Sequence, residues 1–448
     1  MVGGARSGRA VAQLLAEAGA DVFLTEQGPP TEGLEDALDA AGVDYEFEGH
    51  TSRALDADMF VLSPGVPTQS NIAQQALRSG IPMYSEIEAA SWFCDAPIVA
   101  ITGTNGKTTT TSLTGHVFRN ALVDDPDRET LVAGNIGFPF SDYVTDVAPQ
   151  DVVVLEVSSF QLDHVDTFHP RVSVLLNITP DHLDRYDNDF HAYAQAKFRI
   201  LHNQGAGDAV VYNRDDTLVR DYVERAAEEQ GVRALGITLS DEAGPGAFLQ
   251  DDRILLRIDN EDESLMQRDE LALRGRHNLY NSLAAAVSAR VMEVESDVVR
   301  ESLAGFEGVP HRLEEVRTID DVLYVNDSKA TNVNAVWYAL ESFERPVVLI
   351  AGGRDKGNDY TDLKPLIRKN VRAVVAMGES ADTVYDELGT EADDRARART
   401  MEEALDRAQR FAQPGDAVLL SPACSSFDMY ESYEERGNIF RRLVKTLL

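Results

Sequence analysis

The chain has 448 residues, 41 Lys plus Arg against 76 Asp plus Glu, a net charge of −35 and an apolar fraction of 43%. So much apolar side chain supports packed cores, which excludes an acidic disordered chain, and at about 150 residues per domain the length predicts three domains. A surface this negative repels nucleic-acid phosphates and anionic lipid headgroups, so neither nucleic acid nor a membrane is an expected partner.

Two cysteines, Cys94 and Cys424, cannot build a disulfide framework and suit a reducing compartment. No apolar run is long enough to span a bilayer, and the N-terminus carries no signal-peptide core, so the expectation is a cytoplasmic protein. Lysine is scarce: only residues 107, 197, 329, 356, 364, 369 and 445, the other basic residues being arginine. High acidity with little lysine suggests a halophilic protein adapted to a salt-rich cytoplasm, where salt screens carboxylate repulsion.

In chain order, Met1-Val2 leads straight into Gly3-Gly4-Ala5-Arg6-Ser7-Gly8, a strand-to-helix glycine turn. Almost no strand precedes it, so the expectation is a missing first strand or a start further upstream. Ala5 stands where the dinucleotide fingerprint has its middle glycine, which leaves two readings, a nucleotide site or a tight turn alone.

Short β-branched runs follow at 21–24, 59–62, 98–101, 152–155, 172–176, 347–350, 374–376 and 417–420, alternating with helical stretches. Runs buried on both faces and separated by helices predict mainly parallel α/β sheets, with ligands at the carboxyl ends of the strands. Asp95-Ala96-Pro97 reads as a linker, and Gly305 to Pro310 as a second boundary. The polar stretch 259–270 reads as a solvated loop.

Ile101-Thr102-Gly103-Thr104-Asn105-Gly106-Lys107-Thr108-Thr109 is a phosphate loop with Ile101 in place of the usual first glycine. Its amides can wrap phosphate oxygens, Lys107 can reach the β- and γ-phosphates, and the Thr108 hydroxyl can bind Mg²⁺. The strand 152–155 ends in Glu156, a carboxylate directed at such a nucleotide. The strand 172–176 ends in Asn177-Ile178-Thr179-Pro180-Asp181-His182-Leu183-Asp184, where His182 is either a metal ligand or a structural hydrogen-bonding side chain.

On the helix 190–201, Lys197 shares a face with Phe190, Tyr193, Ile200 and Leu201. It either snorkels to solvent or is desolvated and neutral. A neutral amine can take up CO₂ and become a carbamate, an anion able to ligate a metal.

Together these motifs resemble the Mur ligases, the ATP-dependent amide-forming enzymes of peptidoglycan synthesis. Four segments carry the resemblance further: 155–162 (LEVSSFQL), 326–332 (NDSKATN), 352–357 (GGRDKG) and 421–428 (SPACSSFD). They point to the member of that family that adds D-glutamate to UDP-N-acetylmuramoyl-L-alanine, through an acyl phosphate and with release of ADP and phosphate. The resemblance implies three α/β domains, each on a mainly parallel sheet. They are a Rossmann-like UDP-sugar domain over 1–94, a central P-loop ATPase domain over 95–308 and a Rossmann-like amino-acid domain over 309–448. It also implies a monomer serving cell-wall growth, cell shape and division.

Carried over residue by residue, the resemblance assigns ATP to Gly103, Thr104, Asn105, Gly106, Lys107, Thr108 and Thr109. It adds Asn281 at the adenine, Arg312 at the γ-phosphate, and Asp327 with Lys329 at the ribose. Two Mg²⁺ ions are implied, one on Thr108 and Glu156, the other on His182 and carbamylated Lys197. Lys107, His182 and Lys197 would be catalytic. The UDP-sugar falls to Arg6, Ser7, Glu26, Ser63, Gly65, Asn135 and Gln161, with Glu26 standing where the family pattern usually has Asp. D-glutamate falls to Thr331, Lys356, Ser426, Phe427 and Tyr433, the last in place of a Phe.

Rival readings are another ADP-forming amide ligase, such as folylpolyglutamate synthase, a nucleotide-binding oxidoreductase, and a plain P-loop hydrolase. The first should lack the four segments, and the second leaves the phosphate loop, Glu156 and Lys197 unexplained. The third would release phosphate without any amino acid.

Overall fold

A computed structural model describes every residue except 241–243, 260, 344, 356 and 448. The described residues form two compact units: Met1–Leu271 with Tyr280–Phe306, and Ala272–Leu279 with Glu307–Leu448.

The first unit opens with four short strands, β1 (Phe23–Thr25), β2 (Asp44–Glu46), β3 (Phe60–Leu62) and β4 (Met83–Ser85). β1 pairs with β2 and β3 with β4, both parallel. Val2 makes parallel bridges to Thr25 and to Leu62, so one residue holds the place of a central strand between the two pairs. The glycine turn then starts the helix Arg6–Glu17, whose buried Val11 and Leu15 pack with Leu24 of β1 and Val61 of β3.

The rest of this unit is built on β5 (Ile98–Thr102), β6 (Thr130–Gly134), β7 (Val152–Glu156), β8 (Val172–Leu175), β9 (Ala209–Asn213), β10 (Arg233–Ile237), β11 (Gly246–Gln250), β12 (Arg253–Arg257) and β13 (Asp262–Gln267). Among the described residues these form one sheet in the order β13-β12-β11-β10-β9-β8-β5-β7-β6. It is parallel from β6 to β11 and antiparallel over the last three strands. The stretch 259–270 is therefore not a loop throughout. Its acidic residues face solvent while Leu265 and Met266 are buried, so the segment pairs as β13.

Central strands β5, β7, β8 and β9 are buried along their whole length, as expected of parallel strands covered on both faces. Leu14, Ile87 and Ala90 from the N-terminal segment join the core around this sheet.

The second unit contains β14 (Glu314–Ile319), β15 (Val322–Asn326), β16 (Val347–Ala351), β17 (Val371–Met377), β18 (Asp394–Ala398) and β19 (Ala417–Leu420), in the order β14-β15-β19-β16-β17-β18. Only the β14–β15 pairing is antiparallel. Both units are thus α/β with mainly parallel sheets. Among the described residues no helix is long and apolar enough to cross a membrane.

Candidate active site

β5 delivers the chain into the phosphate loop and then into the helix Lys107–Ala121. Gly106 stands at the N-cap in the left-handed region, with φ 86°. A Cβ there would lie 2.5 Å from Asn281 Oδ1, so the backbone passes Asn281 too closely for any side chain. Asn281 Oδ1 also accepts from the Thr110 hydroxyl at 3.1 Å, fixing it against the start of this helix.

The segment after β8 staples the loop from the other side. Thr104 N donates to Asn177 O at 2.8 Å, and Asn105 N to Asn177 Oδ1 at 2.9 Å. The Thr104 hydroxyl lies 3.0 Å from both Thr179 O and Tyr193 Oη. Such a rigid loop, opening on the free amides of a helix N-terminus, is suited to holding phosphate.

Two amines enter this loop. Lys107 Nζ donates to the carbonyls of Gly103 (2.9 Å) and Thr104 (2.7 Å). Lys197, on the helix Phe190–Phe198, is 2% exposed, and its Nζ donates to Gly103 O at 2.8 Å. It does not snorkel. Burial, and after it the charge of Lys107, holds its amine well below the usual lysine range, against the pull of Asp181, Glu156 and Asp163.

At the end of β7 the Glu156 side chain is buried. Its Oε1 accepts from Asn135 Nδ2 at 2.9 Å, while Oε2 has no hydrogen-bond partner among the described residues. A buried carboxylate oxygen left in this state fits a cation. Among the described residues no three His, Cys, Asp or Glu side chains converge as a metal site. His182 has φ 51° and packs edge-on against Phe160, ring centroids 5.4 Å apart.

Of the residues expected at the UDP-sugar, Ser63 and Gln161 line one cavity of about 220 Å³, together with Phe160, Asp163, Arg185 and Tyr186. Gln161 also closes a capping box with Ser158, directly after Glu156 and Val157. Gly65 gives its carbonyl to Arg185. Arg6 and Ser7 open the first helix, and Asn135 is held on Glu156. The Glu26 carboxylate accepts from Gly4 N at 2.6 Å and Gly28 N at 2.9 Å, so it braces the glycine turn.

In the second unit the ends of β15, β16 and β19 gather the remaining candidates. Asp327 is buried, accepting from the Ser421 hydroxyl at 2.7 Å and from Leu313 N at 3.2 Å. Burial pushes its carboxyl up to about 7, against these hydrogen bonds and the charge of Arg312. Arg312 Nε is buried with no hydrogen-bond partner among the described residues. Lys329 Nζ lies 5.2 Å from the Tyr433 ring centroid. Thr331 N donates to Lys329 O, Ser426 is buried, and Phe427 is 62% exposed. A Cβ on Gly353 would lie 2.3 Å from Ser425 O, so this glycine lets the 421–428 segment approach. Lys356 lies outside the described residues.

Sequence reasoning missed Tyr193, which touches Thr104, and Arg436. The latter is buried, donating to Ser328 O at 2.9 Å and Cys424 O at 3.2 Å, and so ties two of the candidate segments together. The one available signal was an arginine inside the amphipathic helix Tyr433–Thr446.

Comparison with known proteins gives the family. Models of the MurD N-terminal domain, the Mur ligase middle domain and the Mur ligase glutamate ligase domain match residues 1–72, 101–289 and 311–424. A Salinibacter ruber protein named UDP-N-acetylmuramoylalanine--D-glutamate ligase is 76% identical, covering 100% of this chain and 97% of its own. A Chloroherpeton thalassium protein of the same name is 45% identical, with the same coverages. The fold is similar to that of a pseudomurein peptide ligase type C from Methanothermus fervidus, at TM-score 0.60, 18% identity and coverage of 99% and 98%. It is also similar to UDP-N-acetylmuramate-alanine ligase MurC from Thermotoga maritima, at TM-score 0.58, 19% identity and the same coverages. Matched along its whole length by such relatives, the chain belongs to the Mur ligase family.

Proposed function

We propose that the chain is an ATP-dependent, ADP-forming ligase that joins D-glutamate to UDP-N-acetylmuramoyl-L-alanine in cytoplasmic peptidoglycan precursor synthesis. Full-length identity to relatives bearing that name supports the substrates. The observation that carries the chemistry is the convergence of Lys107 and Lys197 on the phosphate loop, with Glu156 at the end of the adjacent strand β7. A carboxylate is a poor electrophile. Phosphoryl transfer from ATP to the alanyl carboxylate supplies a leaving group, the D-glutamate amine attacks the acyl phosphate, and phosphate departs as the amide forms.

Loop amides 103–109 and Lys107 hold the ATP phosphates, and Asn281 lies at the adenine. Bound Mg²⁺, on Thr108 and Glu156 and on His182 and Lys197, would neutralise charge on the phosphates and acceptor carboxylate. The neutral Lys197 amine takes up CO₂, a C–N bond forms, a proton leaves, and the side chain becomes an anionic carbamate. Arg6, Ser7, Glu26, Ser63, Gly65, Asn135 and Gln161 serve the UDP-sugar. In the second unit Arg312, Asp327 and Lys329 serve the nucleotide; Thr331, Lys356, Ser426, Phe427 and Tyr433 serve D-glutamate. The corresponding division is 1–94, 95–308 and 309–448, in a monomer.

The test is phosphate release by the purified chain with ATP, Mg²⁺, UDP-N-acetylmuramoyl-L-alanine and D-glutamate, with L-glutamate as control. Release should require both the acceptor and D-glutamate. Release independent of both overturns the reading.

A further inference from the structure

Arg185 sits on a single 3₁₀ turn, Leu183–Tyr186, bracketed by residues in the left-handed region: His182 (φ 51°), Asp187 (φ 53°) and Asn188 (φ 61°). Such positions are disfavoured for residues other than glycine, so contacts from elsewhere in the chain add to the turn's own backbone bonds in holding its shape.

Arg185 makes those contacts. Its guanidinium donates to three successive carbonyls of the N-terminal segment, Pro64 (3.2 Å), Gly65 (3.3 Å) and Val66 (3.5 Å). The same group lies 4.3 Å from the Phe160 ring centroid, and the Arg185 carbonyl accepts from Gln69 Nε2 at 2.8 Å. Among the described residues it forms no salt bridge. Phe160 in turn packs against His182 (5.4 Å) and Tyr186 (6.0 Å), and the Tyr186 hydroxyl donates to Asp163 at 2.9 Å. Phe160, Asp163, Arg185 and Tyr186 all line the cavity that Ser63 and Gln161 share.

We infer that Arg185 is a positioning residue for the UDP-sugar acceptor. It fastens the Ser63–Val66 loop to the turn carrying His182 and so fixes the width of the cavity between them. The inference rests on the proposed function and adds to it a residue that none of the motifs includes. A planar guanidinium can lie over an aromatic ring while its fixed donors reach three carbonyls; an ammonium also has three donors, but it has no flat face to lie on the ring and no fixed fork to hold their spacing.

The experiment compares wild type, Arg185→Ala and Arg185→Lys by calorimetric titration with UDP-N-acetylmuramoyl-L-alanine and by KM for ATP and D-glutamate. Both variants should bind the acceptor at least about tenfold more weakly, with the two KM values within about twofold of wild type. Wild-type affinity in Arg185→Lys would show that charge alone suffices, and overturns the inference. So would a lowered Tm in Arg185→Ala with unchanged acceptor affinity, which marks a purely structural role. If Arg185→Ala does not fold, Gln69→Ala loosens the same turn, and unchanged acceptor affinity there overturns the inference equally. Wild type that binds no acceptor would instead count against the proposed function.

Discussion

The amines of Lys107 and Lys197 converge on one acceptor, the carbonyl of Gly103, at 2.9 and 2.8 Å. Burial first, and then the charge of Lys107, lower the Lys197 amine well below the usual lysine range. That direction favours the free amine, the form that reacts with CO₂. Lys197→Ala should lose at least about 100-fold in kcat and be partly rescued by short carboxylic acids such as acetate. Full activity of the variant without added acid would show that no carbamate is needed.

Gly106→Ala places a methyl group 2.5 Å from Asn281 Oδ1 at a φ of 86°. The backbone strain alone is worth about 1–2 kcal/mol, and Asn281 must move as well. KM for ATP should rise about tenfold while acceptor affinity stays unchanged. Parallel losses of both would mean that the whole unit has been disturbed.

Glu88, buried on the helix Glu86–Ser91, accepts from the amides of Asp166 (3.0 Å), Thr167 (2.9 Å) and Phe168 (2.8 Å) and from Trp92 Nε1 (2.9 Å). Burial pushes its carboxyl up, but these bonds and the Thr167 hydroxyl outweigh it and hold it below the ordinary value. Glu88→Ala leaves the buried Phe168 amide and the part-buried amides of Asp166 and Thr167 without their acceptor and should cost on the order of 2 kcal/mol or more, read from the denaturant midpoint. An unchanged midpoint would show that water replaces the carboxylate.

Asp327 gives a pH dependence of defined sign. Its folded-state value of about 7 lies above the unfolded value, so between the two the folded chain keeps a proton the unfolded chain has lost. Stability from this group is complete below about pH 4 and is lost as pH rises through 7, a change of about 4 kcal/mol. Asp327→Asn should therefore gain in Tm over wild type between pH 5 and pH 8. A constant difference across that range would contradict the assignment.

The −35 charge predicts that salt is needed to screen the surface. Activity should rise as KCl goes from low to molar concentration. A flat or falling profile would count against salt adaptation.

Residues whose placement is set by their neighbours in the chain were legible. The phosphate loop, Glu156 at the end of β7 and Lys197 on an apolar helix face each show in a window of a few residues, because strand ends and helix periodicity are local. Arg185 and Glu88 were not legible. Their partners lie 119–121 and 78–80 residues away, and an isolated Arg or Glu carries no sign of such pairing. β13 was misread because its acidic outer residues mask Leu265 and Met266. Glu26 shows the converse: its residue type was legible, but not the backbone amides of Gly4 and Gly28 that it serves.

Leu14, Ile87 and Ala90 lie inside the core of the large sheet, and Glu88 is clasped by the 166–168 segment. The N-terminal segment is therefore not a detachable module. Excised at the linker, it would leave apolar surface bare on both pieces, and a graft from a distant relative would have to match that seam.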